Sequence, residues 1–319
     1  MDLATPITID LDRYLHLRRM FGAKLRTEEL RLRSFATFVD QAGKGVVTRE
    51  LILDWMKSQR PACGGTKASR FTAIRLFAVW LHSMDERHED PPPRGFVPGR
   101  VTRPAPYIYS DAEVAQIIRA ARELPSIYGM RGLTCAMLYG LVAVTGMRIA
   151  EALALDTADF DAGQQILHVR NGKNGKERLL PIDPDVSDRL THYCSERDRL
   201  LERHSEPLFV NCKGARPNYC WARANFVRVC QSVGLRGTWS KPMPGSPPRI
   251  HDLRHTFAVR TITGWYSAGH DAAREMHKLT TYLGHEGLRD TYWYLQAVPE
   301  LLELASARVS DGSAAENSQ

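Results

Sequence analysis

A run of prolines and glycines between residues 88 and 109 sets the tightest limit on how this chain can fold. His88-Glu89-Asp90-Pro91-Pro92-Pro93-Arg94-Gly95 is followed by Pro98, Gly99, Pro104 and Pro106. Proline lacks an N–H to donate and holds φ near −65°, so neither a helix interior nor a sheet centre accepts such a run. An extended, polyproline-like strap is the expected form. The strap divides the 319 residues into two stretches of ordinary domain size. The expected plan is a first unit over 1–87, the strap over 88–109, a second unit over 110–306, and a disordered polar tail over 307–319.

Apolar residues in the first unit recur at helical spacing. Leu11, Tyr14, Leu15, Leu17 and Phe21 mark a helix over 11–22. A second runs over 27–42, with Thr27 as its cap, Glu28 and Glu29 at its positive end, and Leu30, Phe35, Phe38 and Val39 as its apolar side. Thr48 opens a third through Leu51, Ile52 and Trp55. The stretch 60–65 reads as a loop, and a fourth helix follows over 68–83. Arg18, Arg19, Lys24, Arg26, Arg31, Arg33, Lys67, Arg70 and Arg75 lie in this helical unit, and Arg100 and Arg103 on the strap. Basic residues of this kind usually form nothing more than a solvated face. With a net charge of +7 and a pI near 9.1, they also make a polyanion a reasonable partner.

The second unit opens on Ser110-Asp111-Ala112-Glu113, a capping box. Helices are expected over 111–123 and 130–144, the latter strongly apolar and central, with another starting near Met147. Short strands at Ile166–Val169 and Arg178–Ile182 flank a turn containing Asn174-Gly175, a strong hairpin signal. Helices return over 184–204 and 217–233, with a short strand at Leu208–Val210 between them. A proline-rich loop spans 236–249. Helices over 251–263, 270–282, 287–294 and 297–306 close the unit. The fold class is therefore mainly α with a small antiparallel β-sheet.

Three stretches of this unit carry chemistry. They are Thr145-Gly146-Met147-Arg148-Ile149-Ala150-Glu151, then Arg249-Ile250-His251-Asp252-Leu253-Arg254-His255, then Leu283-Gly284-His285 with Tyr294 nine residues beyond the histidine. Together they supply Arg148, His251, Arg254, His285 and Tyr294, which are two guanidiniums, two imidazoles and a phenol. In this order the set resembles the tyrosine recombinase (phage integrase) family, whose signature is Arg…Lys…His-x-x-Arg…His/Trp…Tyr. The resemblance covers roughly residues 110–305. It implies an N-terminal helical core-binding domain and an α+β catalytic domain.

The resemblance also implies roles. Tyr294 attacks the scissile phosphorus and becomes a 3′-phosphotyrosine. A free tyrosine is only about 0.1% ionised at neutral pH, so the site must supply charge or a base. Arg148 and Arg254 suit the anionic transition state, because a guanidinium pairs two phosphate oxygens at once. His251 acts as a base or holds a phosphate oxygen, and His285 donates a further hydrogen bond. Gly172-Lys173-Asn174-Gly175-Lys176-Glu177-Arg178 is similar to the family's hairpin, with the middle Gly and Asn exchanged. Lys173 matches the position that protonates the leaving 5′ oxygen, and Lys176 that of a second lysine near the backbone. Glu151, three residues after Arg148, is expected to orient it. His255 reads as a structural neighbour. Tyr292 competes with Tyr294, but the two face about 200° apart on a helix, and the spacing from His285 selects Tyr294.

No metal, ATP or other cofactor is implied, since arginines and lysine supply the electrostatics. Six cysteines without a C-x-x-C pair suggest reduced thiols in a cytoplasmic protein, and the family resemblance implies association with the nucleoid. No signal peptide or membrane span is apparent. The expected partners are double-stranded DNA sites and further copies of the chain, in a tetramer that exchanges strands through a Holliday junction. The expected function is integration or excision of a mobile element by site-specific recombination, with transposition as its outcome. A non-catalytic DNA-binding regulator on this fold, or a type IB topoisomerase, is the alternative.

Overall fold

Residues 6–99, 105–170, 177–237 and 247–297 are described by the structure, a computed structural model of the chain. The hairpin tip with Lys173 and Lys176, the strap residues Arg100 and Arg103, residues 298–306 of the expected last helix, and the tail lie outside the described residues, as does the side chain of Arg26. The chain divides into two units, Met1–Arg103 and Pro104–Gln319.

The first unit holds α1 (Ile7–Met20), α2 (Arg26–Gln41), α3 (Arg49–Ser58) and α4 (Gly64–Met84). Leu11, Phe35, Trp55 and Phe77 meet in its core. Thr48 caps α3 by accepting from Leu51 N at 3.2 Å. Three local expectations need correction. Thr27 lies inside α2 rather than capping it, because Leu25, in a left-handed conformation, precedes the first turn. Gly64 and Gly65 belong to α4, whose packing overrides their weak propensity. Leu30 is 72% exposed, and Leu32 and Ala36 take the inward face instead. Residues 88–99 of the proline-rich stretch are tied to this unit. Glu89 N donates to Val47 O at 2.9 Å, Val47 N to His88 Nδ1 at 2.9 Å, and Arg75 Nε to Pro92 O at 2.9 Å.

The second unit is arranged around α6 (Met130–Thr145), which has apolar residues on nearly every side. A helix of that composition must be covered all round. The cover consists of α5 (Asp111–Arg122), α8 (Pro184–Leu201), α9 (Tyr219–Ser232) and α10 (Ile250–Ser267). Each buried leucine contributes about 2 kcal/mol to that packing. Ser110 and Glu113 form the capping box of α5.

After α6 come the short α7 (Ile149–Ala154) and an antiparallel sheet of β1 (Phe160–Asp161), β2 (Ile166–Val169) and β3 (Arg178–Pro181), in the order β1-β2-β3. Leu167 pairs with Leu180 and Val169 with Arg178. Side chains alternate faces along a strand. Arg178 therefore shares the inward face of Leu180, and a charge entering the interior needs a partner. The triplet Leu208–Val210 is buried but is not a strand. Leu208 N bonds to Leu155 O at 3.0 Å and an isolated bridge joins Asp156 to Pro207, without a ladder alongside. Finally α11 (Ala272–Leu283) and α12 (Leu288–Ala297) pack on α10. Among the described residues no helix is long and apolar enough to cross a membrane.

Candidate active site

Two helix ends build the centre of the site. The last carbonyls of a helix have no donor within it. At the end of α6, Gly146 turns left-handed at φ 60°, and its carbonyl accepts from Arg254 Nη1 at 2.8 Å. At the end of α11, Gly284 does the same at φ 66°. Gly284 N bonds to Thr281 O and His285 N to Thr280 O, both at 3.0 Å, a Schellman turn. The freed carbonyls face the arginines: Leu283 O accepts from Arg254 Nη2 and Gly284 O from Arg148 Nη2, each at 2.9 Å. The negative ends of both helix dipoles thus lie against the guanidiniums. Arg254 is buried, and burial together with the nearby Arg148 draws its pKa down to about 10, which leaves it charged at neutral pH.

Arg148 sits where the chain turns into α7. Glu151, in the first turn, accepts from Arg148 N at 3.0 Å and from Arg148 Nη1 at 2.8 Å. Its other neighbour is Arg178, whose Nη2 donates to Glu151 Oε2 at 2.8 Å and whose Nε reaches Tyr282 O at 2.9 Å. Burial pushes the Glu151 carboxyl up, but Arg178 and Arg148 pull it further down, and the net shift is downward. Sequence reasoning missed Arg178 as part of the site. Its only signal was its place inside the lysine-rich hairpin motif.

Positions i, i+3 and i+4 of a helix share a face, so α10 presents His251, Arg254 and His255 together. His251 and His255 are edge to face at 4.6 Å between centroids. Tyr294, on α12, is buried, and its Oη is hydrogen-bonded to His255 Nδ1 at 3.1 Å. The Tyr294 ring lies 5.5 Å from that of His255 and 6.3 Å from that of His285. His255, read from the sequence as a structural neighbour, is therefore the imidazole bonded to the tyrosine. Tyr292 points elsewhere, 38% exposed. His285 Nδ1 is 2.7 Å from Thr291 Oγ1. Burial, then Arg254 and Arg148, push the His285 pKa down to about 3.

The structure thus brings together Arg148, Glu151, Arg254, His255, His285 and Tyr294, with His251 on the same face of α10. Among the described residues no group of His, Cys, Asp and Glu could hold a metal ion. On the first unit, Lys24 and Lys67 are exposed. Arg19 is paired with Glu29, and Arg33 with Asp12 and Glu29. Arg18 donates to Tyr14 Oη, Arg31 to Ser69 Oγ, and Arg70 to Arg60 O.

The glycine at the end of α6 is testable. A Cβ on Gly146 would lie 2.4 Å from Phe257 Cδ1 and 3.0 Å from Leu283 Cδ2. Left-handed backbone adds about 1–2 kcal/mol for any other residue. Gly146→Ala is expected to lower unfolding free energy by about 3 kcal/mol once the clash is included. Gly22→Ala is the control, since Gly22 has φ 81° but open space around it, and it should show the backbone cost alone. Equal losses in denaturant titrations of the two variants would count against the packing argument.

Residues 109–300 match the phage integrase family. Across the whole length, the chain is similar to a Sinorhizobium fredii protein provisionally named integrase/recombinase y4rB, at 35% identity, covering 93% of this chain and 94% of that one. It is 25% identical to tyrosine recombinase XerC of Corynebacterium glutamicum, over 72% of this chain and 67% of that one. Among solved structures, it shares its fold with the Tn1549 transposon integrase in complex with transposon right end DNA, at a TM-score of 0.63 and 15% identity, covering 96% of this chain and 100% of that one. It also shares it with the XerH site-specific recombinase bound to its difH substrate, at 0.62 and 17%, covering 89% and 79%.

Proposed function

The chain belongs to the phage integrase family, the tyrosine-type site-specific recombinases, and on that footing we propose that it cuts and rejoins duplex DNA through a 3′-phosphotyrosine at Tyr294. The observation that carries this is the clustering of two guanidiniums, clamped on helix-end carbonyls, with a buried tyrosine bonded to an imidazole. A scissile phosphate is bound by Arg148 and Arg254, whose planar guanidiniums can each pair with two oxygens. Both are held before DNA arrives, so little reorganisation is needed as charge builds on phosphorus.

Tyr294 Oη forms the new bond to phosphorus and the bond to the 5′ oxygen breaks. The tyrosine proton passes to a histidine of α10; His255 is already hydrogen-bonded to it, and His251 lies one turn earlier. The 5′ oxygen takes its proton from Lys173. The bond energy is stored in the phosphotyrosine, and a 5′ hydroxyl from a partner strand reverses the step. Two such exchanges, in a tetramer on two DNA sites, pass through a Holliday junction and integrate or excise a mobile element. The resemblance to an integrase/recombinase along nearly the whole chain supports the mobile-element reading. The basic residues of α1, α2 and α4, with Lys24, Arg100, Arg103 and Lys176, serve as phosphate contacts.

Covalent trapping tests the reading. The protein is incubated with nicked duplexes from the ends of the element that carries its gene, then run on a denaturing gel. A protein–DNA adduct is expected. Tight binding to the same duplex without an adduct would favour a regulator, and relaxation of plasmids lacking any such end would favour a topoisomerase.

A further inference from the structure

We propose that Thr291 and Thr280 form a positioning relay that holds His285 as its Nδ1–H tautomer and leaves Nε2 unprotonated in the resting site. The inference takes the site from the function proposed above, but the relay itself is read from three contacts. Thr280 Oγ1 is 2.7 Å from Met276 O, Thr280 Oγ1 is 2.9 Å from Thr291 Oγ1, and Thr291 Oγ1 is 2.7 Å from His285 Nδ1.

Ring and hydroxyl protons follow from the network around them. Each hydroxyl has one hydrogen to give. Met276 O is a carbonyl and only accepts, so Thr280 spends its hydrogen there. Thr280 can then only accept from Thr291, and Thr291 has nothing left for the ring. The third contact needs a hydrogen, and only Nδ1 can supply it. No other assignment satisfies all three. Thr291 is completely buried, so a broken link would not be repaired by bulk water. The imidazole stays neutral at physiological pH, because burial and the two arginines oppose its protonation. A neutral ring has one N–H, and it is on Nδ1. Nε2 has no hydrogen-bond partner among the described residues.

Thr280 grips His285 twice. Its carbonyl accepts the His285 backbone N–H in the Schellman turn, and its hydroxyl orients the ring through Thr291. The chemical consequence is specific. A bare Nε2 cannot donate to a phosphate oxygen. Any hydrogen bond from His285 to the phosphate requires a proton first taken up at Nε2, and an anion between Arg148 and Arg254 removes the repulsion that resists it. Thr291 and Thr280 are therefore positioning residues, and His285 meets its substrate as a proton acceptor.

The test uses the full-length protein with 15N-labelled histidine rings and long-range 1H–15N correlation spectra. His285 is assigned by loss of its signals in His285→Gln. Without DNA at neutral pH, the expected pattern is a protonated Nδ1 and a bare Nε2. Thr291→Val keeps the shape but offers no acceptor, and should move His285 towards the Nε2–H form; Thr291→Ser should restore the wild-type pattern. Thr280→Val frees the Thr291 hydroxyl to donate to Nδ1 and should move it the same way. An Nε2–H ring in the wild type overturns the relay. So does an Nδ1–H pattern that survives both valine variants while the other histidine signals stay in place. On a cleavable nicked duplex, Thr291→Val should slow adduct formation about 10²-fold at unchanged DNA affinity, the low end for a misplaced acid–base group, and Thr291→Ser should not. Failure of the recombinase reading would appear instead as no adduct from the wild type, with the spectra unaffected.

Discussion

Tyr294→Phe is expected to abolish the covalent protein–DNA adduct, while Tyr292→Phe leaves it intact. The phenyl ring keeps the packing against His255, His285 and Trp293. The substitution removes Oη and with it the hydrogen bond to His255. A bond of that kind contributes about 1 kcal/mol to stability, so the variant should stay folded. Removing a nucleophile, by contrast, costs a catalytic unit about 10⁴-fold or more. Tyr292 lies on the opposite side of α12 and is partly exposed, so its hydroxyl has no route to the arginines. Denaturing gels of the three proteins, with melting curves as the folding control, decide it. An adduct surviving in Tyr294→Phe and lost in Tyr292→Phe would assign the nucleophile to the wrong face of the helix.

Glu151→Ala should be among the most damaging substitutions outside the hydrophobic core. The carboxylate side chain is 3% exposed and binds two guanidiniums, from Arg148 and Arg178. Its loss leaves two partly buried positive charges facing each other without compensation. Breaking a buried pair from one side costs about 3–5 kcal/mol. At about 2–4 °C per kcal/mol for a unit of this size, Tm should fall by roughly 6–20 °C. The pH dependence carries a sign. The folded carboxyl titrates below its ordinary range. Its contribution is therefore complete above the unfolded pKa of about 4.3 and fades as pH falls through the folded value. The gap in stability between wild type and Glu151→Ala should narrow below that point and stay constant above it. A gap unchanged down to pH 3 would mean that the carboxylate is not what holds the arginines.

Much of the fold could be read from local pattern. Ser110 with Glu113 and Thr48 before Leu51 name their helix starts directly, since a cap needs only neighbours a turn away. The apolar circumference of α6 announced a central helix. Errors arose where tertiary packing decides. Leu30 looks like the inner face of α2 until Leu32 and Ala36 are seen to occupy it. Leu208–Val210 has the composition of a strand but no neighbouring ladder. In the site, the order of Arg148, His251, Arg254, His285 and Tyr294 was legible because side-chain identity carries the resemblance. The carbonyls of Gly146, Leu283 and Gly284 were not, because backbone atoms leave no mark in a sequence. Nor was the His255–Tyr294 bond, which joins residues 39 positions apart.

The clamp on Arg254 and Arg148 also bears on when the protein becomes able to cut. The carbonyls that hold them come from residues 108 and 29 positions from Arg254, and 136 positions from Arg148. Contacts of such long range form late, after loop closure has been overcome. A chain still on the ribosome, with Arg148 and His251 already emerged, has no end of α11 to lock either guanidinium. Competence to cut thus waits until α11 has been made and has packed against α10, in one cooperative step. Products clipped before Leu283 would lack the carbonyls that lock both guanidiniums, and should form no adduct.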